Sequence, residues 1–271
     1  MIRFLILAGY FELSMYLYLS GKLDQYINTH YSYLAFIAMF LSFILALVQL
    51  VIWMKNLKMH SHLSGKLAKL TSPMILVLPV MIGLLVPTVT LDSTTVSAKG
   101  YHFPTAVGSV GRGESDDGTR VQYLKPDTSL YFTKNAYRKE MQKELTAYQN
   151  LDTIHITTKN YMEIMELIYL YPDVFSGKRI SYTGFVYNEP DHEGYQYLFR
   201  FGVIHCIADS GVYGLSTTGN TQSYDNNTWV QVTGNIDTEY NSQLEQTLPV
   251  LHIEDSQEVS EPDNPYVYRV F

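Results

Sequence analysis

The residues best equipped for chemistry fall in "FGVIHCIADSG", residues 201–211. His205 and Cys206 are adjacent, Asp209 follows three residues later, and Cys206 is the only cysteine in the chain. Imidazole, thiolate and carboxylate are the ligand types that zinc accepts. On a strand, however, neighbours point to opposite faces. Phe199, Phe201, Val203, His205 and Ile207 would share one face, with Arg200, Gly202, Ile204, Cys206 and Ala208 on the other. One ion could then reach both His205 and Cys206 only where a bulge or a strand end turns one of them. Asp209, just past the expected strand, could be such an end. His205, Cys206 and Asp209 form the candidate metal site, for which zinc is the cofactor considered, and His192, His252 and Glu254 are the available further ligands. The competing reading is a buried thiol packed as a small hydrophobe. Flanking Ile204 and Ile207 argue against the exposure that acylation or intermolecular pairing of Cys206 would need.

The second candidate is Glu12, the one acid inside the apolar segment Phe4 to Leu19. An acid in a membrane span is expensive unless it meets protein, water or a counter-charge, or is protonated. Two readings stand side by side: an intramembrane contact within a larger assembly, and a protonated side chain packed against the chain's own helices. No Gly-x-Ser-x-Gly elbow, His-Glu-x-x-His or phosphate loop occurs, so no enzyme is expected.

The elements that would position these groups divide the chain in two. Residues 1–91 carry six basic residues (Arg3, Lys22, Lys55, Lys58, Lys66 and Lys69) against Glu12 and Asp24. The remainder holds the other 13 of the 19 basic residues and 24 of the 26 acids. An acidic second half of this kind argues against nucleic acid as a partner. A single cysteine excludes an intrachain disulfide and a four-cysteine zinc site.

Charge is absent from Asp24 to Lys55 and again from Lys69 to Asp92. A helix crosses the hydrocarbon with about 20 apolar residues, so the sequence predicts three spans at about 4–20, 33–54 and 72–91. The last contains Pro79, Gly83 and Pro87, which membrane helices tolerate at a kink. The first is read as a retained span rather than a cleaved signal, because of Glu12, its tyrosines and the lack of a small-x-small cleavage site. The loop from Lys55 to Thr71 has four lysines and no acid, whereas Gly21 to Ser32 has one lysine and one acid. The positive-inside rule then predicts a cytoplasmic N-terminus and an extracytoplasmic second half.

Residues 92–125 read as a linker, with "GSVGRGESDDG" showing no period. Glu114, Asp116 and Asp117 there are read as a solvated loop, since calcium loops need a longer ligand series. Residues 126–271 read as an α+β domain. Asn135 to Gln149 is a charged helix, and Thr158 to Tyr171 a helix with Tyr161, Ile164, Met165 and Ile168 on one face. Thr158 is expected to cap it and Pro172 to end it. Five β-runs follow: "RISYTGFVYN", "YQYLFRFGVIHCIAD", "VYGLST", "TWVQVTGNI" and "TLPVLHIED". Gly184 and Gly234, in the middle of the first and fourth, suit strong coiling, so an OB-like barrel is expected over about 178–255.

The helix ending "YPDVFSGKRISYTGFVYN", then "FRFGVIHCIADSGVYG", then "NTWVQVTGNI", in that order, resembles the YcgQ-like family of bacterial membrane proteins. The matching pieces run from about Asn160 to Ile236, and the N-terminal spans match in kind. The resemblance implies an accessory subunit of a two-part permease complex in the bacterial cell membrane. The partner would be a larger multi-pass permease, and the substrate is undefined. The family pattern has two adjacent cysteines where this chain has His205 and Cys206. That departure keeps a zinc-type pair and loses disulfide chemistry. Two alternatives of other classes are an extracytoplasmic zinc-type binding or delivery protein, and a surface module binding peptide or glycan through exposed tyrosines.

Overall fold

A computed structural model describes residues 1–57, 65–99, 134–189, 196–219, 222–241 and 246–268. The chain folds as two compact units, Met1–Thr90 and Leu91–Phe271.

The described residues of the first unit contain three long helices, α1 (Ile2–Leu19), α2 (Ser32–Met54) and α3 (Lys66–Leu85). All three are long and apolar enough to cross a membrane, with mean hydropathy of 1.3, 2.7 and 1.8. The lowest value belongs to the helix with Glu12, as the sequence implies. Helix α3 starts earlier than expected and ends before Pro87, while Pro73 and Pro79 lie within it.

Helix α1 is the centre of this unit. One side meets α2 through Phe11–Phe43 and Tyr18–Phe36, with ring centroids 5.2 and 4.8 Å apart. Another side meets α3, where the Tyr10 hydroxyl donates to the Leu76 carbonyl at 2.9 Å. Small residues allow that close approach, as is common between membrane helices. A Cβ on Gly9 would stand 3.0 Å from Val80, and one on Gly83 would stand 2.7 Å from Leu13.

The second unit begins with a short helix, α4 (Ser93–Lys99), inside the segment expected to be a linker. Its start is held by Asp92, whose Oδ1 accepts from the Thr94 N–H at 3.0 Å and the Thr95 N–H at 3.4 Å. Val96 is buried, and the Ser93 N–H donates to Asn227 Oδ1 at 2.7 Å. Glu114, Asp116 and Asp117 lie outside the described residues.

Then come α5 (Lys134–Tyr148), β1 (Thr153–His155), α6 (Tyr161–Leu170) and α7 (Pro172–Phe175). Helix α6 occupies the segment with the predicted apolar face, and Ile164, Met165 and Ile168 are fully buried. Its N-cap is Asn160, however, not Thr158. Pro172 ends α6 by opening α7 at its first position, where a missing N–H costs nothing.

The predicted β-runs become β2 (Arg179–Asn188), β3 (Gln196–Val203), β4 (Gly211–Thr218), β5 (Trp229–Asn241) and β6 (Gln246–Glu258), and β7 (Val267–Tyr268) is added. Antiparallel pairings join β2 to β3, β3 to β4, β2 to β5 and β5 to β6. A parallel pairing joins β4 to β6. These pairings form a closed circuit, β2–β3–β4–β6–β5–β2. Strand β1 adds to β2, and β7 to β3, both parallel.

The main core draws on all five strands of the circuit and on α6. Ile180, Tyr182 and Val186 enter it from β2, as their alternation predicts, with Leu198, Leu215, Val230, Val232 and Leu251 from the other strands. Burying each such aliphatic side chain is worth about 1.5–3 kcal/mol. A second cluster uses the opposite face of β2 and β3, where Phe185, Tyr187, Tyr197, Phe199, Phe201 and Val203 pack with Val96 and Tyr266. Two glycines sit where strands approach most closely. A Cβ on Gly184 would be 2.9 Å from the Phe199 carbonyl oxygen, and one on Gly234, beside a bulge in β5, would run into the His252 carbonyl oxygen.

Candidate functional site

Strand β3 stops at Val203, so the predicted second strand is shorter than its sequence pattern suggests. The expectation that His205 and Cys206 alternate along a strand is therefore corrected. Residues 204–210 form a turn that includes a short 3-10 helix, Ile207–Asp209. The cause is Asp209. Its carboxylate accepts from the Cys206 N–H at 2.9 Å and from the His205 N–H at 3.1 Å, so the backbone donors that would extend the strand are taken. The Cys206 sulfur in turn accepts from the Asp209 N–H, which completes a reciprocal capping box.

The same carboxylate holds the imidazole, with His205 Nδ1 2.7 Å from Asp209 Oδ2. An ionised carboxylate can only accept, so this contact fixes the ring's orientation through Nδ1. Carboxylate, oriented imidazole and half-buried thiol thus meet in one turn, with the His205 side chain half exposed. Orientation by a second carboxylate is how metal-binding histidines are commonly held.

The further ligands proposed for the site are engaged elsewhere. His252, on β6, has Nδ1 3.0 Å from Thr218 Oγ1 and Nε2 3.3 Å from Glu239 Oε1. Glu254 pairs with Arg179 at 2.9 Å and accepts from Asn235 at 2.6 Å. His192 lies outside the described residues. Among the described residues, no group of three or more His, Cys, Asp or Glu side chains could hold a metal ion.

The most deeply buried charged residue described in the second unit escaped sequence reasoning. Arg200, on β3, is 3% exposed. Its Nε donates to the Pro265 carbonyl at 3.1 Å, and its terminal nitrogens donate to Thr158 Oγ1 at 2.9 Å, the Asn264 carbonyl at 2.8 Å and the Tyr266 carbonyl at 3.3 Å. The guanidinium lies 5.6 Å from the Tyr161 ring centroid and 5.7 Å from that of Trp229. Burial pulls its pKa below the usual guanidinium value. Thr158 therefore serves Arg200 rather than capping α6. The signal was available: Arg200 is the one charge in "YQYLFRFGVIHCIA", and a lone cation in a buried strand must bring its partners with it.

Among the described residues of the second unit, most of the tyrosines expected to offer a binding surface are buried. The Tyr161 hydroxyl donates to the Tyr213 carbonyl at 3.2 Å, and the Tyr169 hydroxyl to the Gly214 carbonyl at 2.9 Å. Burial pushes the phenols of Tyr161, Tyr169, Tyr182 and Tyr213 well above their ordinary pKa. Tyr240, on β5, is exposed.

Glu12 is exposed on α1. It makes no hydrogen bond or ion pair with another described residue.

Both halves of the chain match one family. Residues 2–102 match the DUF1980 N-terminal domain and residues 131–269 match the DUF1980 C-terminal domain. A Streptococcus mutans protein named "Putative two-component membrane permease complex subunit" is 70% identical over 271 residues, covering 100% of both chains. The Bacillus subtilis UPF0703 protein YcgQ is 33% identical over 291 residues, again covering 100% of both. The chain belongs to the DUF1980 family, which bears out the resemblance read from residues 160–236.

Proposed function

We propose that this DUF1980 protein is the accessory subunit of a two-component membrane permease complex and carries out no chemistry of its own. The observation that carries the reading is the full-length, 70% identity to a protein named as a subunit of a two-component membrane permease complex. Three N-terminal helices of membrane-crossing length and composition support it. The four lysines around the α2–α3 connection, Lys55 and Lys58 before α3 and Lys66 and Lys69 in its first turns, with no acid among them, support a cytoplasmic N-terminus with residues 91–271 outside. The closed circuit of β2 to β6, with its single parallel pairing, supports an OB-like barrel. In this reading the outer domain binds or gates substrate beside a larger multi-pass permease.

The test is purification of the tagged full-length chain in mild detergent from its own membrane. A multi-pass protein is expected in fixed ratio, and it should be lost when residues 1–91 are replaced by an unrelated anchor. A chain that elutes alone overturns the reading.

A second reading, zinc-type binding at the turn, is favoured by one observation: Asp209 orients His205 beside the Cys206 thiol. Zinc bound in a fixed ratio to the purified chain, and abolished by Cys206→Ser, would establish it. Zinc content unchanged by that substitution would remove it.

A further inference from the structure

Hydrocarbon offers a carboxylate no donor and no water. At 1.5 Å per residue, Glu12 lies roughly 15 Å from one end of α1 and about 10 Å from the other. It is therefore near the middle of the span, too far from either surface for its short side chain to reach water. Helix α1 already spends two of its faces on α2 and α3. The remaining face carries Leu5, Glu12, Met15, Tyr16 and Leu19, all exposed. Their spacing keeps them on one stripe along the helix, the geometry of a helix-to-helix seam. Glu12 makes no hydrogen bond or ion pair with any described residue of the chain.

Charge decides what covers this seam. No Lys, Arg or His occurs in residues 4–21, 33–54 or 70–91. The chain's own spans bring no cation to the depth of Glu12, and neither do those of a second copy. A symmetric dimer on the seam would instead set Glu12 against Glu12, and like charges oppose ionisation of both. The complementary surface must come from a different chain.

We infer that this stripe of α1 is the docking surface for a transmembrane helix of the multi-pass partner. That helix carries a basic side chain in mid-membrane, which pairs with Glu12. The inference rests on the accessory-subunit reading and names the contact that the reading leaves open. A charge pair at this depth specifies register and partner, because any other neighbour leaves the carboxylate without a donor.

The experiment uses the full-length tagged chain in its own membrane, in a Cys206→Ser background. A photoreactive thiol reagent is attached at Met15→Cys or Leu19→Cys on the stripe, or at Phe40→Cys or Leu47→Cys on exposed positions of α2. Adducts from the stripe, but not from α2, are expected to join a multi-pass protein. Mass spectrometry should place the joined peptide in a span with a basic residue. In parallel, Glu12→Leu should lower recovery of that protein at least tenfold, and Glu12→Gln, which keeps the shape and one acceptor, should lower it less. Adducts to a second copy of the chain, or to lipid alone, overturn the inference. So does undiminished recovery with Glu12→Leu, which would leave the accessory-subunit reading standing. If no multi-pass protein accompanies even the unaltered chain, both fail together. Where Glu12→Leu lowers the amount of chain in the membrane, the adduct pattern with Glu12 intact decides.

Discussion

The two units of this chain treat polar groups in opposite ways. In the second unit, polar side chains go inward and are satisfied there. Arg200 donates four hydrogen bonds to neutral acceptors, and the Tyr161 and Tyr169 hydroxyls bond to carbonyls of β4. In the first unit, apolar side chains face outward, and the one mid-helix charge faces outward with them. A charge that finds its partners inside the chain is part of the architecture. A charge on an apolar exterior is addressed to something outside the chain.

The largest expected contrast between the units is in alkali. Four buried phenols have raised pKa values because burial disfavours the charged form. Above about pH 10 an unfolded chain releases these protons while the folded one retains them. Their contribution is complete below that pH and is lost as pH climbs toward the folded pKa values. Each phenol removes up to about 1.4 kcal/mol per pH unit over that window, so the four together cost roughly 5 kcal/mol per unit. Beyond the absorbance contributed by exposed tyrosines such as Tyr240, a further, cooperative rise in tyrosinate absorbance should accompany loss of the β-sheet circular-dichroism signal, while the helical signal of the first unit persists in detergent. Complete tyrosine titration with the sheet intact would break the comparison.

Arg200→Ala comes next. It leaves three carbonyls and Thr158 Oγ1 without their donor and takes a cation from between two rings. A loss of about 3–5 kcal/mol is expected, the range for breaking buried charged networks. Arg200→Lys keeps the charge but cannot reproduce the planar fork, and should lose a smaller part of that. Denaturant unfolding followed by Trp229 fluorescence reads both, with Trp53 replaced by Phe to isolate the signal.

A glycine in each unit sharpens the comparison further. A Cβ on Gly234 meets a fixed backbone carbonyl, whereas a Cβ on Gly83 meets the end of a flexible leucine side chain. Gly234→Ala should cost about 1–3 kcal/mol, the usual range for overpacking. Gly83→Ala should cost clearly less, because Leu13 can move. Equal costs would mean that the helices of the first unit are as rigidly packed as the sheet.

The sequence shows some of this plainly. Charge-free stretches reveal the three helices, and alternation reveals which residues of β2 and β5 turn inward. Gly184 and Gly234 sit at close strand contacts, as their mid-strand positions suggest. What it hides are choices made by distant partners. The partners of Arg200 lie more than 60 residues away at Asn264, Pro265 and Tyr266, and no local period reports them. The end of β3 is hidden because apolar residues continue through Ile204 and Ile207, while Asp209 takes the backbone donors. Helix α4 sits in a Ser- and Thr-rich segment of low helix propensity. Its one local signal, Asp92 as an N-cap, is outweighed by that composition until Val96 finds a core.

The smallest expected effect is the most informative about the membrane half. Glu12→Leu should leave the unfolding of the purified chain in detergent almost unchanged, within about 0.5 kcal/mol, as for an exposed site without special contacts. No described residue of the chain loses a partner when Glu12 goes. Detergent can admit water to the carboxylate, so the penalty of hydrocarbon is relieved there. In the membrane the same substitution removes the one charged side chain in the interior of α1. A substitution silent in the isolated chain yet disruptive to the assembly would assign Glu12 to the partner. A loss of stability matching Arg200→Ala would show instead that Glu12 is an interior charge of this chain, and the contrast between the two units would disappear.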